Sequence, residues 1–379
     1  MTLPDPLAAL RKAYADRTAG ALRARAADVQ VVAYLGNATP VELILATGAF
    51  PLLMTGDPAE PTPYAEQFID DDFDGDLRSV YQRIVGGYYN FADLIVIPRS
   101  SNGYLYLYYF LLETRRLLPQ NPFPEVVLFD ILHTPYWSTG QYDYGRLLDL
   151  KARLEKLSGK SMTAAQLGEA IATKNRSRAA LQALNALRRR AQPVLSGADM
   201  LCAIGACELI EYSVSTALVR ALAEQADSVA PLPGVRLMVK GAPHDNTRFY
   251  QLAESLGAVI VADDHVSGER TIEHLVDETI EPLAALAQHY HLHAPGIRSF
   301  PQQAQDERFL QIVEQAGVEG VVFFHDEFDD TLGWDYPEQK KMLDDRGIAS
   351  IFLQQQSYRA PDEAAQRAAI ADLVARSRA

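Results

Sequence analysis

The chain has 379 residues, of which 48% are hydrophobic and 22% charged, so it has enough apolar side chains for more than one large core. Its net charge of −14 argues against a protein that binds the phosphate backbone of nucleic acids, and it also disfavours binding to anionic membranes. Cys202 and Cys207 are too few for a disulfide framework and fit a reducing compartment. Without an apolar run of about 18 residues or a signal-like N-terminus, we expect a cytoplasmic protein with neither membrane nor nucleic-acid partners.

The first part of the chain alternates short β-rich runs with helical patterns. A helix is predicted over 7–28, and Pro40 can begin another. Four apolar runs predict strands over 29–36, 50–56, 92–98 and 124–131. Strands that alternate with helices indicate a parallel sheet, whose ligands bind beyond the carboxyl ends of the strands.

The second part repeats this rhythm after a helical stretch. Leu and Ala recur at three- and four-residue steps from about 145 to 226, which predicts helices, and a Pro- and Gly-rich linker follows. Strands are then predicted over 235–241, 258–264, 318–325 and 349–355, with a helix around 269–288. We therefore predict an α/β protein with parallel-sheet domains at 1–144 and 228–379 and a helical segment at 145–227.

Four stretches of the chain resemble one family in the expected order. They are TPVELILATGAFPLLMTG, DLKARLEKLSGKSMTAAQLGEAIATKNRSRAALQAL, VKGAPHDNTRFYQLAESLGAVIVADDHVSGER and GVVFFHDEFDDTLGWDYPEQKKMLDDRGIASIFL. The chain is similar in them to the D-component of 2-hydroxyacyl-CoA dehydratases and to benzoyl-CoA reductase subunits. The resemblance implies two Rossmann-like, flavodoxin-like domains with an acyl-CoA thioester bound between them. It also implies a related partner subunit and an activator that passes an electron to an iron–sulfur cluster.

The chain departs from that family at the cluster ligands. The resemblance places a ligating cysteine in each of three loops that follow strands, and here those positions hold Ser101, Val266 and Asp329. Such clusters are held by cysteine thiolates, which none of these residues supplies. Cys202 and Cys207 lie in the helical stretch instead. We therefore expect no iron–sulfur cluster on this chain alone.

Several polar residues are candidates for substrate binding. Ser100, Ser101 and Asn102 stand at a strand-to-helix turn, where they either contact a thioester or phosphate group or cap the helix. His244 and Asn246 follow the predicted strand 235–241 and leave the same two alternatives open. A further pair follows the first strand: Asn37 in its loop, and Glu42, which faces the cleft or forms a capping box with Thr39.

Two histidines at strand ends are candidate acid–base residues. His265 and His325 titrate near neutrality in their ordinary state, which suits proton transfer. Together with Asp329 they would form a set of two imidazoles and one carboxylate, which suits a mononuclear divalent metal. The alternative is that these residues are capping and salt-bridging groups with no metal.

The leading hypothesis is a cluster-free subunit of a heteromeric acyl-CoA dehydratase or reductase, paired with a related subunit that retains the cysteines. One alternative is a stand-alone acyl-CoA lyase that uses His265 and His325, with or without a divalent metal. The other alternative is a non-catalytic scaffold subunit of such a complex.

Overall fold

A computed structural model describes residues 5–293, 296, 300–329 and 332–378. Within them, two four-stranded sheets form, and every strand pair in both sheets is parallel. The predicted α/β class with two parallel sheets is confirmed.

Both sheets have the same strand order. The first has the order β2-β1-β3-β4, with β1 Val31–Tyr34, β2 Phe50–Leu53, β3 Leu94–Pro98 and β4 Val126–Phe129. The second has the order β6-β5-β7-β8, with β5 Val235–Gly241, β6 Ala258–Asp264, β7 Gly320–Asp326 and β8 Ala349–Gln356. This order is that of flavodoxin-like folds, in which the chain reverses direction beside the first strand and leaves a crevice there.

Helices cover both faces of the sheets, which is why the central strands β1 and β3 of the first sheet are buried throughout and those of the second, β5 and β7, are mostly buried. No described helix is both long and apolar enough to cross a membrane. The helices are α1 Pro6–Ala15, α2 Ala19–Ala26, α3 Val41–Ala46, α4 Pro63–Phe68, α5 Gly75–Val85, α6 Asn102–Leu117, α7 Trp137–Ser158, α8 Ala164–Arg189, α9 Gly197–Cys207, α10 Tyr212–Glu224, α11 Arg248–Ser255, α12 Pro282–Leu292, α13 Gln302–Gln315, α14 Tyr336–Asp344 and α15 Glu363–Ser377.

Two helix predictions are wrong in detail. The helix expected over 7–28 is divided into α1 and α2. The helix expected around 269–288 is a short 3-10 turn followed by an irregular stretch, and α12 begins only at Pro282. Ion pairs explain the irregular backbone, because buried Glu269 pairs with Arg188 and buried Arg270 pairs with Asp264. The turn is therefore fixed by ion pairs to side chains outside it.

Packing crosses the predicted domain limits. The proposed limit at 144/145 falls inside α7, so a cut there would divide a helix. Leu286 and Tyr290 of α12 are buried in the same core as Val32 and Leu94 of the first sheet, although they follow the second sheet's β6 in the chain. The limits 1–144, 145–227 and 228–379 therefore stay predictions.

Candidate functional site

A cavity of about 100 Å³ lies between the carboxyl ends of the two sheets, and we call it the inter-sheet cavity. Asn37 after β1 lines it from the first sheet, and His244 after β5 and Val266 after β6 line it from the second. The remaining wall includes Tyr14, Arg17, Tyr34, Met54, Asp76, Tyr104, Lys174, Arg178, Glu208, Asp245 and Tyr290. Because ligands of parallel sheets bind beyond strand carboxyl ends, this cavity is the candidate site.

One wall of the inter-sheet cavity is a hydrogen-bonded group around Glu208. Tyr34 and Tyr212 donate to its carboxylate at 2.6 and 2.5 Å, and Lys174 forms an ion pair with it. Burial works to raise the pKa of Glu208, but Lys174 and the hydrogen bonds hold it below the ordinary value. Glu208 is therefore ionised and fully paired, and its network fixes the two tyrosines.

A second buried group surrounds Glu42. Its carboxylate lies 2.7 Å from Arg178 and accepts a hydrogen bond from Tyr290 at 2.8 Å. The capping-box interpretation is wrong, because Thr39 donates to the Leu35 carbonyl and Pro40 is the N-cap of α3. Glu42 itself does not line the cavity, whereas Arg178 and Tyr290 do. A direct substrate contact of Glu42 stays a prediction, and the observed contacts give it the role of holding two wall residues.

His244 is the imidazole that lines the inter-sheet cavity. Its ring packs against Phe249, with centroids 5.7 Å apart, and against Phe324 at 4.6 Å. Only 6% of the residue is exposed, and Nε2 has no hydrogen-bond partner in the described part of the chain. Burial, followed by the neighbouring His265, lowers its pKa well below the ordinary value. His244 is therefore a neutral imidazole with an unused nitrogen at the cavity wall.

His265 lies deeper, behind His244, with the ring centroids 5.1 Å apart. It is fully buried, its Nε2 is 2.7 Å from the Tyr250 hydroxyl, and its Nδ1 accepts from the Ser267 backbone N–H at 3.3 Å. Burial lowers its pKa, against the opposing effect of Asp263. Both ring nitrogens are thus engaged within the protein, and the catalytic role of His265 stays a prediction.

His325 and Asp329 do not join His265 in a ligand set. His325 packs edge-on against Phe352 at 4.6 Å, and Asp329 accepts from the Leu332 backbone N–H at 3.1 Å. Burial is the main cause of the lowered pKa of His325. Among the described residues, no three His, Cys, Asp or Glu side chains are grouped so that they could hold a metal ion. The structure therefore does not assemble the alternative metal site.

One of the polar residues after β3 is a helix cap. Ser101 is the N-cap of α6 and accepts from the Tyr104 backbone N–H at 3.2 Å. Ser100 precedes this cap, and Asn102, which is exposed, is the first residue of the helix. Two other candidates also contact the backbone. Asn37 donates to the Val266 carbonyl at 2.5 Å across the cleft, and Asn246 accepts from the Arg248 N–H at 3.2 Å. Their substrate contacts stay predictions.

Carboxylates beside the cavity were missed by the sequence interpretation. Asp74 and Asp76 begin α5, Asp245 follows β5, and Asp326 ends β7. Burial raises the pKa of Asp74 to about 6, with a contribution from Asp329. Burial, followed by Asp74, raises that of Asp326 to about 7. The sequence shows the acidic run before α5 and another after β7, but they lie about 250 residues apart. No local pattern could have linked them.

A larger cavity of about 360 Å³, the switch-point cavity, lies beyond the carboxyl ends of β5, β7 and β8. His244, Phe249, Phe324 and Tyr358 contribute to its wall, and Arg248 and Arg367 stand among its lining residues. It occupies the crevice where the strand order of the second sheet reverses, which is the usual ligand position in such sheets. Its volume lies within the range of about 300–1,000 Å³ for small-molecule sites.

An iron–sulfur cluster does not fit the residues at the three loops. The Ser101 hydroxyl caps α6, Val266 has a hydrocarbon side chain, and Asp329 offers oxygen. The two thiols of the chain, Cys202 and Cys207, lie in α9 and are buried in the same core as residues of the first sheet. Burial is the main reason why the pKa of each is raised to about 11. They are therefore protonated and lie on a helix rather than in the three loops, so the loops themselves supply no thiolate.

Comparisons with known proteins find relatives among dehydratase subunits. The beta subunit of (R)-phenyllactyl-CoA dehydratase from Clostridium sporogenes is 21% identical over 325 residues, which cover 83% of each chain. A putative dehydratase subunit of Escherichia coli (strain K12) is 26% identical over 245 residues, 62% of this chain and 61% of the relative. Subunit beta of (R)-2-hydroxyglutaryl-CoA dehydratase from Acidaminococcus fermentans is 22% identical over 220 residues, covering 56% and 58% respectively.

The model of one protein family spans most of the chain. That family is described as 2-hydroxyglutaryl-CoA dehydratase, D-component, and its model matches residues 37–370. The match begins in the loop after β1 and ends within α15, so it includes all the strand-end loops that line both cavities. The resemblance inferred from the sequence is therefore confirmed, and the chain belongs to the 2-hydroxyglutaryl-CoA dehydratase D-component family.

Proposed function

We propose that this chain is the cluster-free subunit of a heteromeric enzyme of the dehydratase and reductase family, acting on an acyl-CoA thioester. What supports the proposal is that Ser101, Val266 and Asp329 stand where the resemblance implies cluster cysteines, in a chain that matches the family's model over residues 37–370. Relatives are named as beta subunits of dehydratases that act on phenyllactyl-CoA and 2-hydroxyglutaryl-CoA. An electron-accepting cluster would then reside in the partner subunit.

The role of this chain in the reaction is to bind the acyl-CoA and to enclose its acyl group. The inter-sheet cavity has aromatic walls, and two cations of its wall, Lys174 and Arg178, are paired with the buried carboxylates of Glu208 and Glu42. A third, Arg17, stacks on Tyr14 and donates to the Asp245 backbone carbonyl. Such a wall shields the acyl group from water. The paired charges also hold Tyr34 and Tyr290 in place, which gives the pocket a fixed shape.

An apolar face on α6 supports the heteromeric part of the proposal. Tyr106, Tyr109 and Leu112 recur at three-residue steps and are 51%, 53% and 41% exposed. Exposed apolar side chains that share one face mark interaction surfaces in many proteins. This face belongs to the helix that Ser101 caps. We assign it to the related subunit that carries the cysteines, whose cluster would thereby lie close to the inter-sheet cavity.

The test is anoxic co-expression with a cysteine-bearing subunit of the family. We expect the two chains to co-purify, iron and acid-labile sulfide to be found only when the partner is present, and the complex to dehydrate a 2-hydroxyacyl-CoA. The double substitution Tyr106→Glu, Tyr109→Glu should abolish co-purification. Val214→Glu, at a 48% exposed site on α10, is the matched control and should leave it intact. Stoichiometric iron and sulfide on the isolated chain would refute the proposal.

A further inference from the structure

The inter-sheet and switch-point cavities share one loop. Residues 242–246 connect β5 to α11, and Pro243 and His244 line both cavities. The smaller cavity, of about 100 Å³, lies on the side of the first sheet, and the larger one, of about 360 Å³, lies between α11 and α15. A single extended ligand that reached both would therefore pass His244.

His244 has the properties of a ligand-binding group at that crossing. Its Nε2 is buried and without a hydrogen-bond partner in the described part of the chain, which is costly unless a ligand supplies one. Phe249 and Phe324 hold the ring, so the nitrogen has a fixed direction. The uncharged ring suits a neutral acceptor, such as a carbonyl oxygen, better than it suits an anion.

The two cavities differ in charge. At the switch-point cavity, Arg248 begins α11 and Arg367 lies on α15; Arg248 is 3.8 Å from Glu363 in an exposed pair, which is weak in water. Asp326 and Glu363 share this lining, but Arg367 forms no ion pair among the described residues and the exposed pair of Arg248 can open. Both cations can therefore bind phosphate groups, and the helix N-terminus at Arg248 favours negative charge as well. In the inter-sheet cavity, Lys174 and Arg178 are already paired with buried carboxylates. Arg17, the third cation of its wall, stacks on Tyr14 and donates to the Asp245 backbone carbonyl, and the Asp245 carboxylate stands on the same wall.

We propose that one CoA thioester occupies both cavities, with His244 at its carbonyl. The acyl group lies in the inter-sheet cavity, Nε2 of His244 donates a hydrogen bond to the thioester oxygen, and the CoA arm runs through the switch-point cavity. Arg248 and Arg367 bind its phosphates. The acyl group selected is small and uncharged. This assignment rests on the proposed function, which makes the ligand an acyl-CoA.

Calorimetric titration of the full chain with three ligands tests the assignment. Butyryl-CoA carries the carbonyl, S-butyl-CoA is the thioether that lacks it, and glutaryl-CoA adds a carboxylate. His244→Phe keeps the ring packing and should weaken butyryl-CoA binding about tenfold, the worth of one hydrogen bond, while changing S-butyl-CoA binding less than threefold. Glutaryl-CoA should bind the unmodified chain at least tenfold more weakly than butyryl-CoA, because its carboxylate would be buried near Asp245 and beside cations that already have partners.

Two further variants complete the design. His289→Phe replaces another buried histidine, one that lines neither cavity, and should leave all three affinities unchanged. The double variant Arg248→Ala, Arg367→Ala should weaken butyryl-CoA and S-butyl-CoA equally. Equal losses for thioester and thioether in His244→Phe, or no binding of butyryl-CoA, would overturn the assignment. If the chain nevertheless joined a cluster-bearing partner in an active complex, the proposed function would survive that failure.

Discussion

Arg178 and Glu42 form an ion pair inside the protein, with Nη1 of the arginine 2.7 Å from Oε1 of the carboxylate. The pair joins α8 to α3, and side-chain exposure is 5% for Arg178 and none for Glu42. Burial works to raise the pKa of Glu42, but Arg178 lowers it below its ordinary value, so both groups are charged. Water has no access to Glu42 and little to Arg178, so it cannot replace either partner fully.

Arg178→Met should therefore be strongly destabilising. Removing one partner leaves a buried charge uncompensated, which costs about 3–5 kcal/mol in the free energy of unfolding. Chemical denaturation measures the change. Arg176→Met is the control on the same helix, since Arg176 and its partner Glu169 are 49% and 71% exposed, and it should cost less than about 1 kcal/mol. Equal effects of the two substitutions would contradict the assigned role of the buried pair.

The strands were predictable from sequence because they are short, continuously apolar and bounded by Gly or Pro. All eight predicted strands are present, and that at 258–264 coincides with β6. The helix predicted around 269–288 failed for a physical reason. Glu269 and Arg270 are held by Arg188 and Asp264, which are distant or buried partners, and helical periodicity carries no information about such pairs.

The candidate site was only partly predictable. The strand-end loops could be located, since parallel sheets place their carboxyl ends together, and His244 and Asn37 do lie there. Which imidazole faces the cavity could not be inferred, because that depends on the packing of His244 against Phe249 and Phe324. The sequence interpretation favoured His265, which is buried behind it.

The carboxylates beside the cavity predict a pH dependence of stability. Burial and neighbouring carboxylates raise the pKa of Asp326 to about 7 and that of Asp74 to about 6. Both values exceed the value of about 4 in an unfolded chain, so the folded protein binds more protons between pH 4 and 7. Proton binding by the two folded-state carboxyl groups therefore stabilises the protein. This stabilisation is fully present below pH 4 and is lost as the pH rises through 6 and 7.

Asp326→Asn should remove part of this dependence. We expect the melting temperature of the variant to exceed that of the unmodified chain by about 2 °C at pH 8, and the difference to disappear near pH 4. Asp28→Asn is the control, because Asp28 is exposed and asparagine accepts its positive φ of 60°. If the melting temperatures of Asp326→Asn and the unmodified chain differed by the same amount at pH 4 and pH 8, ionisation of the buried carboxyl groups would not be the cause.

The bond between His265 and Tyr250 predicts a structural role for both. His265→Leu leaves the Tyr250 hydroxyl without its 2.7 Å partner in a fully buried position, which should cost about 1–3 kcal/mol. Tyr250→Phe should cost a similar amount. The double variant should cost less than the sum of the two, since the bond can be lost only once. Additive losses, or loss of turnover without loss of stability in His265→Leu, would favour the catalytic interpretation instead.

Restoring three cysteines should restore a cluster site. A Cβ on Gly103 would strike the Asp74 carboxylate, and Asp74 interacts with Asp329. The Val266 carbonyl accepts from Asn37, and a Cβ on the neighbouring Gly36 would strike Tyr104 of α6, so the three loops meet at one end of the sheets. We expect the triple variant Ser101→Cys, Val266→Cys, Asp329→Cys to retain iron and sulfide after anoxic reconstitution, because three thiolates would then face one space.

The control for that variant carries the same number of added thiols elsewhere. The control cysteines replace three exposed residues: Asp28 in the turn after α2, Val214 on α10 and Asp372 on α15. They should bind no stable cluster. Iron and sulfide analysis with visible absorption distinguishes the two proteins. If the triple variant retained no more iron than the control, these loops would not form the family's cluster site in this chain. The absence of thiolates could then no longer support the proposed pairing with a cluster-bearing subunit.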